Sequence, residues 1–110
     1  METPSERSYE EVVTEIIRDD PEWAAEYLNE VLTTGNQGEL MEAIRRVARA
    51  FGGVPEIAER SELNAKTLYR TLSPRGNPEL KSLIAILKAM GMRLAIQPLH
   101  KDDLGELVSR

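Results

Sequence analysis

A chain of 110 residues, 41% hydrophobic and 30% charged, is long enough for one domain with its own core and too short for a second, and it is too apolar for a disordered chain. It has no cysteine and a single histidine, His100, which excludes disulfides and thiolate metal sites, so no metal or other cofactor is expected. No apolar run approaches the ~18 residues that cross a bilayer, and the amino terminus METPSERSYEE lacks the basic and apolar regions of a signal peptide, so the expectation is a cytoplasmic protein without membrane contact.

Residues 1–7 are expected to be a flexible end, residues 8–99 one domain and residues 100–110 a tail. The first helix is read from Tyr9, Val12, Val13, Ile16 and Ile17, which recur at helical spacing. Asp20 as N-cap and Pro21 at the first helical position then start a second helix, with Trp23, Ala24, Tyr27, Leu28 and Val31 on one stripe and Gly35 as a left-handed C-cap. Asn36 with Glu39 has capping-box spacing, and it opens a third helix that turns Leu40, Ile44, Val47 and Phe51 inward and Arg45, Arg46 and Arg49 largely outward. Gly52 and Gly53 stop it.

The segment VPEIAERSELNAKTLYRTL divides into two very short helices. Pro55 starts the first, Ile57 and Ala58 face inward, and Leu63 plugs the corner. Asn64 caps the second, whose inward positions are Leu68 and Leu72. This is the pattern of a helix-turn-helix, in which the second helix enters the major groove. Its outward residues are Ala65, Lys66, Tyr69 and Arg70, with Thr67 at the margin. Lys and Arg donate to guanine acceptors, while the Ala65 methyl and the Tyr69 ring meet thymine methyls or the backbone. In the following SPRGNP connection Ser73, Arg75 and Asn77 lie where a loop grips phosphates, and Asn77 and Pro78 are expected to cap and begin the next helix. That helix, from about Glu79 to Met90, is expected to bury Leu80, Leu83, Ile84 and Leu87, and Gly91 closes it. Finally MRLAIQPL alternates as a half-buried strand does, with Arg93, Leu94, Ala95, Ile96 and Gln97 at its centre. A lone strand needs a partner, and the expected one is the same strand of a second copy in a two-fold dimer. The fold expected is therefore mainly α, with five to six short helices, a helix-turn-helix and one C-terminal β-strand.

Charge is distributed unevenly along this order. Residues 1–42 carry 2 basic and 12 acidic residues, whereas residues 43–93 carry 10 basic and 4 acidic. The local positive surplus answers how an acidic chain would attract phosphate. The acidic surplus of the first two helices, Glu22, Glu26 and Glu30 among it, is the expected surface for a basic protein partner; the alternative is that it only solvates two amphipathic helices. An enzyme is not expected, since the chain lacks a cysteine nucleophile, a Gly-rich phosphate loop and zinc-ligand spacing.

The segments AAEYLNEVLTTGN, AIRRVARAFGG, TLYRTLSPRGNP and LIAILKAMGMRL together resemble the addiction-module antidote proteins, HigA-like antitoxins with a phage-repressor (XRE/Cro-like) helix-turn-helix. The resemblance implies a toxin–antitoxin operon, in which the chain binds operator DNA at an inverted repeat and neutralises a RelE-like or HigB-like RNase toxin. A stand-alone transcriptional repressor is the alternative. Two positions depart from the pattern. Glu62 stands at the corner where Gly is usual, and Ala65 stands where a polar base-reading residue is common. The corner residue is expected to adopt a positive φ at a cost on the order of 1 kcal/mol.

Overall fold

The computed structural model describes residues 8–100. These form six α-helices: α1 Tyr9–Asp19, α2 Pro21–Thr34, α3 Gln37–Ala50, α4 Val54–Ser61, α5 Ala65–Thr71 and α6 Leu80–Ala89. Local chemistry sets most of the starts. The Ser8 hydroxyl accepts from the Glu11 amide, and Asp20, Asn36 and Asn64 do the same for Trp23, Glu39 and Thr67. Each cap satisfies one amide that the first helical turn leaves unpaired. α4 starts from Gly53 and Pro55 and α6 from Glu79, neither with a side-chain cap bond. Asn77 and Pro78 therefore precede the helix instead of opening it.

α3 is the centre of the molecule. Met41, Ala43, Ile44, Val47, Ala48 and Ala50 are all buried along its length. α1 and α2 pack on one side of it and α4 on another, with α5 and α6 both held against α4. One continuous apolar core results, running from Val13 and Ile17 of α1 through Ala24 and Leu28 of α2 to Ile57, Leu68, Leu72, Ile86 and Met90. Leu83 is half-buried against that core, but Leu80 is 65% exposed in the first turn of α6, where the sequence pattern had it inside. α1 departs similarly. Only Val13 and Ile17 of its five apolar positions are buried, while Tyr9, Val12 and Ile16 face solvent.

Three helices close through the same device, a left-handed residue after the last turn with a following amide reaching back five residues. Gly52, Glu62 and Gly91 have φ of 116°, 61° and 78°. The Gly53, Leu63 and Met92 amides donate to the Ala48, Ala58 and Leu87 carbonyls, the long bond of a Schellman cap. Gly35 does not join them. It is extended (φ −91°), and its need for glycine is steric, because a Cβ there would sit 2.8 Å from the Val31 carbonyl oxygen.

Of the three arginines expected largely outward on α3, Arg49 is exposed, whereas Arg45 and Arg46 are half-buried in polar contacts. Arg46 donates from Nε to Glu10 at 2.7 Å, from Nη1 to the Tyr27 hydroxyl at 2.9 Å and from Nη2 to Glu42 at 2.9 Å. Its guanidinium also lies 5.4 Å from the centroid of the Tyr9 ring, within cation–π range. Burial opposes the charged form, but the hydrogen bonds to Tyr27 and Glu10, with the negative charge of Glu10, more than offset it, so Arg46 titrates above the ordinary arginine range. Arg49 shares Glu10 at 3.0 Å. On the opposite side, Arg60 of α4 donates to the Phe51 and Ala89 carbonyls at the ends of α3 and α6, where helix dipoles favour a cation.

The expected C-terminal β-strand is absent: residues 92–100 have no regular secondary structure among the described residues. The physical reason is the one that made a lone strand need a partner. No other strand offers a ladder, so Arg93, Leu94, Ala95, Ile96 and Gln97 run over the surface, with Leu94 at the rim of an apolar cleft formed with Leu28, Leu32, Leu83 and Leu87. No described helix is long and apolar enough to cross a membrane.

Replacing Arg46 with Ala removes three charge-assisted hydrogen bonds and the packing of the arginine stem, leaving Glu10 with Arg49 alone and the Tyr27 hydroxyl without this donor. The expected loss is roughly 1–3 kcal/mol of folding stability. A urea-unfolding curve checks it, with Arg49→Ala, at the more exposed end of the same cluster, costing less.

Candidate nucleic-acid interface

α4 and α5 meet at a corner formed by Glu62, Leu63 and Asn64. Val54, Ile57 and Ala58 of α4 and Leu68 of α5 are buried, with Leu72 beneath the end of α5. The small Ala58 side chain allows the two helices to approach, and Leu63 packs against the core in the corner. Glu62 has φ 61° and ψ 26°, the left-handed conformation that the sequence pattern required there. Its amide donates to the Glu59 carbonyl at 3.3 Å and the Leu63 amide to Ala58 at 2.9 Å, which completes both bonds of a Schellman cap without its usual glycine.

With Leu68 and Leu72 fixed inward, the rest of α5 is turned out. Lys66, Thr67, Tyr69 and Arg70 are exposed, Tyr69 by 54%, and Ala65 is half-buried. Asn64 is exposed at the N-cap, its side chain committed to the Thr67 amide. The connection to α6 lies directly beyond the end of this helix, with Arg75 and Asn77 exposed and Ser73 half-buried. All nine residues expected at the interface thus fall on α5, its cap or the adjoining loop. Among the described residues no ion pair engages Lys66, Arg70 or Arg75. Three cations and an aromatic ring on one such surface can hold phosphates and reach base edges.

What sequence reasoning missed is the support beneath the loop. Gly76 is buried against the end of α5, so close that an added Cβ would lie 1.7 Å from the Thr71 carbonyl oxygen. Its amide donates to Ser73 at 2.8 Å and its carbonyl accepts from Gln37 Nε2 at 2.9 Å. Gly38, also on the first turn of α3, admits Pro74, whose carbonyl would be 3.4 Å from a Cβ at that position. Arg45 donates to the Leu72 carbonyl. Gln37, Gly38 and Arg45 of α3 therefore set the path of the loop that carries Ser73, Arg75 and Asn77. Nothing in the periodicity of α3 announces this, because Gln37 and Arg45 look like any solvated helix positions until the chain returns to them.

The acidic residues Glu22, Glu26 and Glu30 are exposed on α2, a helix that packs on α1 and α3 and not on α5. The structure brings none of them near the corner. Among the described residues no group of three His, Asp or Glu side chains is placed to hold a metal ion.

Six helices, α3 central among them, with a two-helix corner presenting a basic face, make up a small all-helical domain over the described residues. The family model described as "Probable addiction module antidote protein" matches residues 11–98, and the chain belongs to that family of antidote proteins. Over 71 residues it is 31% identical to an uncharacterized protein of Haemophilus influenzae, the alignment covering 64% of this chain and 72% of that relative. No solved structure gives a significant match. Membership of an antidote family implies a cognate toxin as partner.

Two glycine exchanges, one at the corner and one in the α5–α6 loop, are expected to act in opposite directions. Glu62→Gly removes the strain of a left-handed non-glycine residue and should stabilise the fold by about 0.5–1 kcal/mol. Gly76→Ala cannot be accommodated without moving the loop off Thr71, and should destabilise it by roughly 1–3 kcal/mol. Thermal unfolding of the two variants beside the wild-type chain measures both.

Proposed function

We propose that this chain is the DNA-binding antitoxin of a type II toxin–antitoxin module, a binding protein and not an enzyme. It neutralises a RelE-like or HigB-like RNase toxin and represses its own operon in the cytoplasm. The observation that carries the DNA half of this reading is the outer face of α5, where Lys66, Tyr69 and Arg70 stand exposed beside Arg75 while Leu68 and Leu72 anchor the helix from behind. That placement suits a helix-turn-helix of the phage-repressor type, with Lys66, Tyr69 and Arg70 toward base edges and Ser73, Arg75 and Asn77 toward phosphates. Asn64, Ala65 and Thr67 complete the approach from the amino-terminal end of the helix.

The toxin half rests on the family and on charge. A ribonuclease grips RNA through positive surface, and Glu22, Glu26 and Glu30 on α2 would steer it to the side of the molecule away from the operator. The exposed C-terminal segment supports a homodimer. Leu94, Ile96 and Leu99 are 40%, 101% and 51% exposed, and pairing residues 93–97 with a second copy would cover them and hold two reading helices one DNA turn, ~34 Å, apart on an inverted repeat.

Electrophoretic mobility shift with the DNA upstream of the chain's own reading frame tests the assignment. A folded Arg70→Ala variant is expected to lose about 1–3 kcal/mol of specific binding, whereas Arg75→Ala weakens specific and nonspecific DNA alike and lowers the salt dependence. Wild-type affinity in a folded Lys66→Ala, Arg70→Ala double variant would sink the assignment of the reading face. Ala95→Pro is expected to shift the chain toward monomer in sedimentation equilibrium if its amide pairs with the second copy.

A further inference from the structure

Two features of the amino-terminal half are left over after the core and the basic face are accounted for. The first is a stripe on α1. Tyr9, Val12 and Ile16, spaced three and four residues apart and so on one side of the helix, are 68%, 41% and 39% exposed, while the adjacent positions Val13 and Ile17 supply the burial that the helix needs to fold. A stripe that contributes little to the core and yet is apolar at three successive turns is spare adhesive surface.

The second feature is a chain of stacked groups that starts from the same stripe. The Tyr9 ring faces the Arg46 guanidinium at 5.4 Å, Arg46 donates to the Tyr27 hydroxyl at 2.9 Å, and the Tyr27 ring stacks on Trp23 with centroids 5.5 Å apart and planes within 12°. This row crosses from α1 over α3 to α2. Tyr9 is exposed, and Trp23, Tyr27 and Arg46 are half-buried. Tyr, Trp and Arg are the residues that dominate binding energy at protein interfaces, and rings already held by stacking and hydrogen bonds lose little freedom when a partner covers them. Beside the row on α2, Glu26 and Glu30 each stand three residues beyond Trp23 and Tyr27, and both are exposed.

We propose that Tyr9, Val12 and Ile16, together with the row Arg46, Tyr27 and Trp23, form the docking face for the toxin, an apolar and aromatic centre with Glu26 and Glu30 at its rim. The occupant is a basic protein with an apolar patch beside its RNA-binding surface. Charge complementarity selects it: residues 1–42 hold 12 acidic residues against 2 basic ones, which repel nucleic acid and attract a nucleic-acid-binding protein. This inference rests on the antitoxin reading and adds to it where the affinity lies. The acidic residues set the rate of encounter, and the Tyr9, Val12 and Ile16 stripe sets the lifetime of the complex.

The experiment uses the full chain and the purified protein encoded by the neighbouring reading frame of its operon, with binding followed by surface plasmon resonance. The variants Tyr9→Ala and Val12→Asp, Ile16→Asp alter exposed side chains, and unchanged thermal unfolding and operator binding confirm that each remains native. The expected result is an affinity for the neighbouring protein weakened roughly 30-fold or more, mainly through faster dissociation. The charge reversals Glu26→Lys, Glu30→Lys are expected to slow association and flatten its salt dependence. Unchanged dissociation in the stripe variants, with the wild-type chain binding, overturns the docking face while leaving the antitoxin reading intact. If the stripe variants instead convert a dimer to a monomer at unchanged affinity for the neighbouring protein, the face joins two copies of this chain and the proposal is likewise overturned. Failure of the wild-type chain to bind that protein overturns the antitoxin reading, and the docking face falls with it.

Discussion

The burial of α3 is the constraint on which the remaining elements depend. A helix with Met41, Ala43, Ile44, Val47, Ala48 and Ala50 all out of solvent is apolar over more of its circumference than one neighbour can cover, so helices must pack on several of its sides. α1 and α2 supply one cover and α4 another. The remaining face is polar and carries the exposed Glu39, Glu42 and Arg49, and several of its side chains reach neighbouring elements. Gln37 meets the Gly76 carbonyl within the α5–α6 loop, Arg45 the Leu72 carbonyl at the end of α5, and Arg46 and Arg49 meet Glu10. Burial of one helix thereby orients both the amino-terminal hairpin and the loop beside the basic face.

The corner between α4 and α5 shows how a fold tolerates a local cost when the context overdetermines it. Gly52 and Gly91 meet the same left-handed requirement at the ends of α3 and α6 with no Cβ penalty, whereas Glu62 meets it with one. The two Schellman bonds and the packing of Leu63 are retained all the same. A strained residue persists only where its surroundings hold it, and here Ile57, Ala58 and Leu68 are buried on both sides of the bend. The carboxylate of Glu62 is exposed next to the start of α5, so the charge itself burdens the core with no desolvation.

Which features were legible in the sequence follows from the range of the physics involved. Asp20, Asn36 and Asn64 act within three residues of themselves, and the φ of the corner residue is a property of one turn; both were readable from order alone. The outward face of α5 was readable because Leu68 and Leu72 fix the phase of a short helix. Contacts that join distant parts of the chain were not. Arg46 and Glu10 are 36 positions apart, and Gly76 owes its identity to the Thr71 carbonyl at the end of a different element. The α1 stripe misled for a related reason: five apolar positions form one band on a helical wheel, and only the neighbours decide that Val13 and Ile17 are covered while Tyr9, Val12 and Ile16 are not. The C-terminal alternation misled because a strand is a property of a pair, and one copy of the chain offers no second strand among its described residues.

The polarity of the chain's charge survives folding in a sharpened form. Glu10 is paired with Arg46 and Arg49, and Glu42 with Arg46, so several charges near the junction of the acidic and basic halves cancel inside the molecule. The exposed charges of α2, Glu22, Glu26 and Glu30, and those of α5 and its loop, Lys66, Arg70 and Arg75, are left on separate helices. Between them lies α3, packed on α1 and α2 on one side and on α4 on another. Two ligands held on these separate surfaces would bind with free energies that add unless they touch each other or change the oligomeric state.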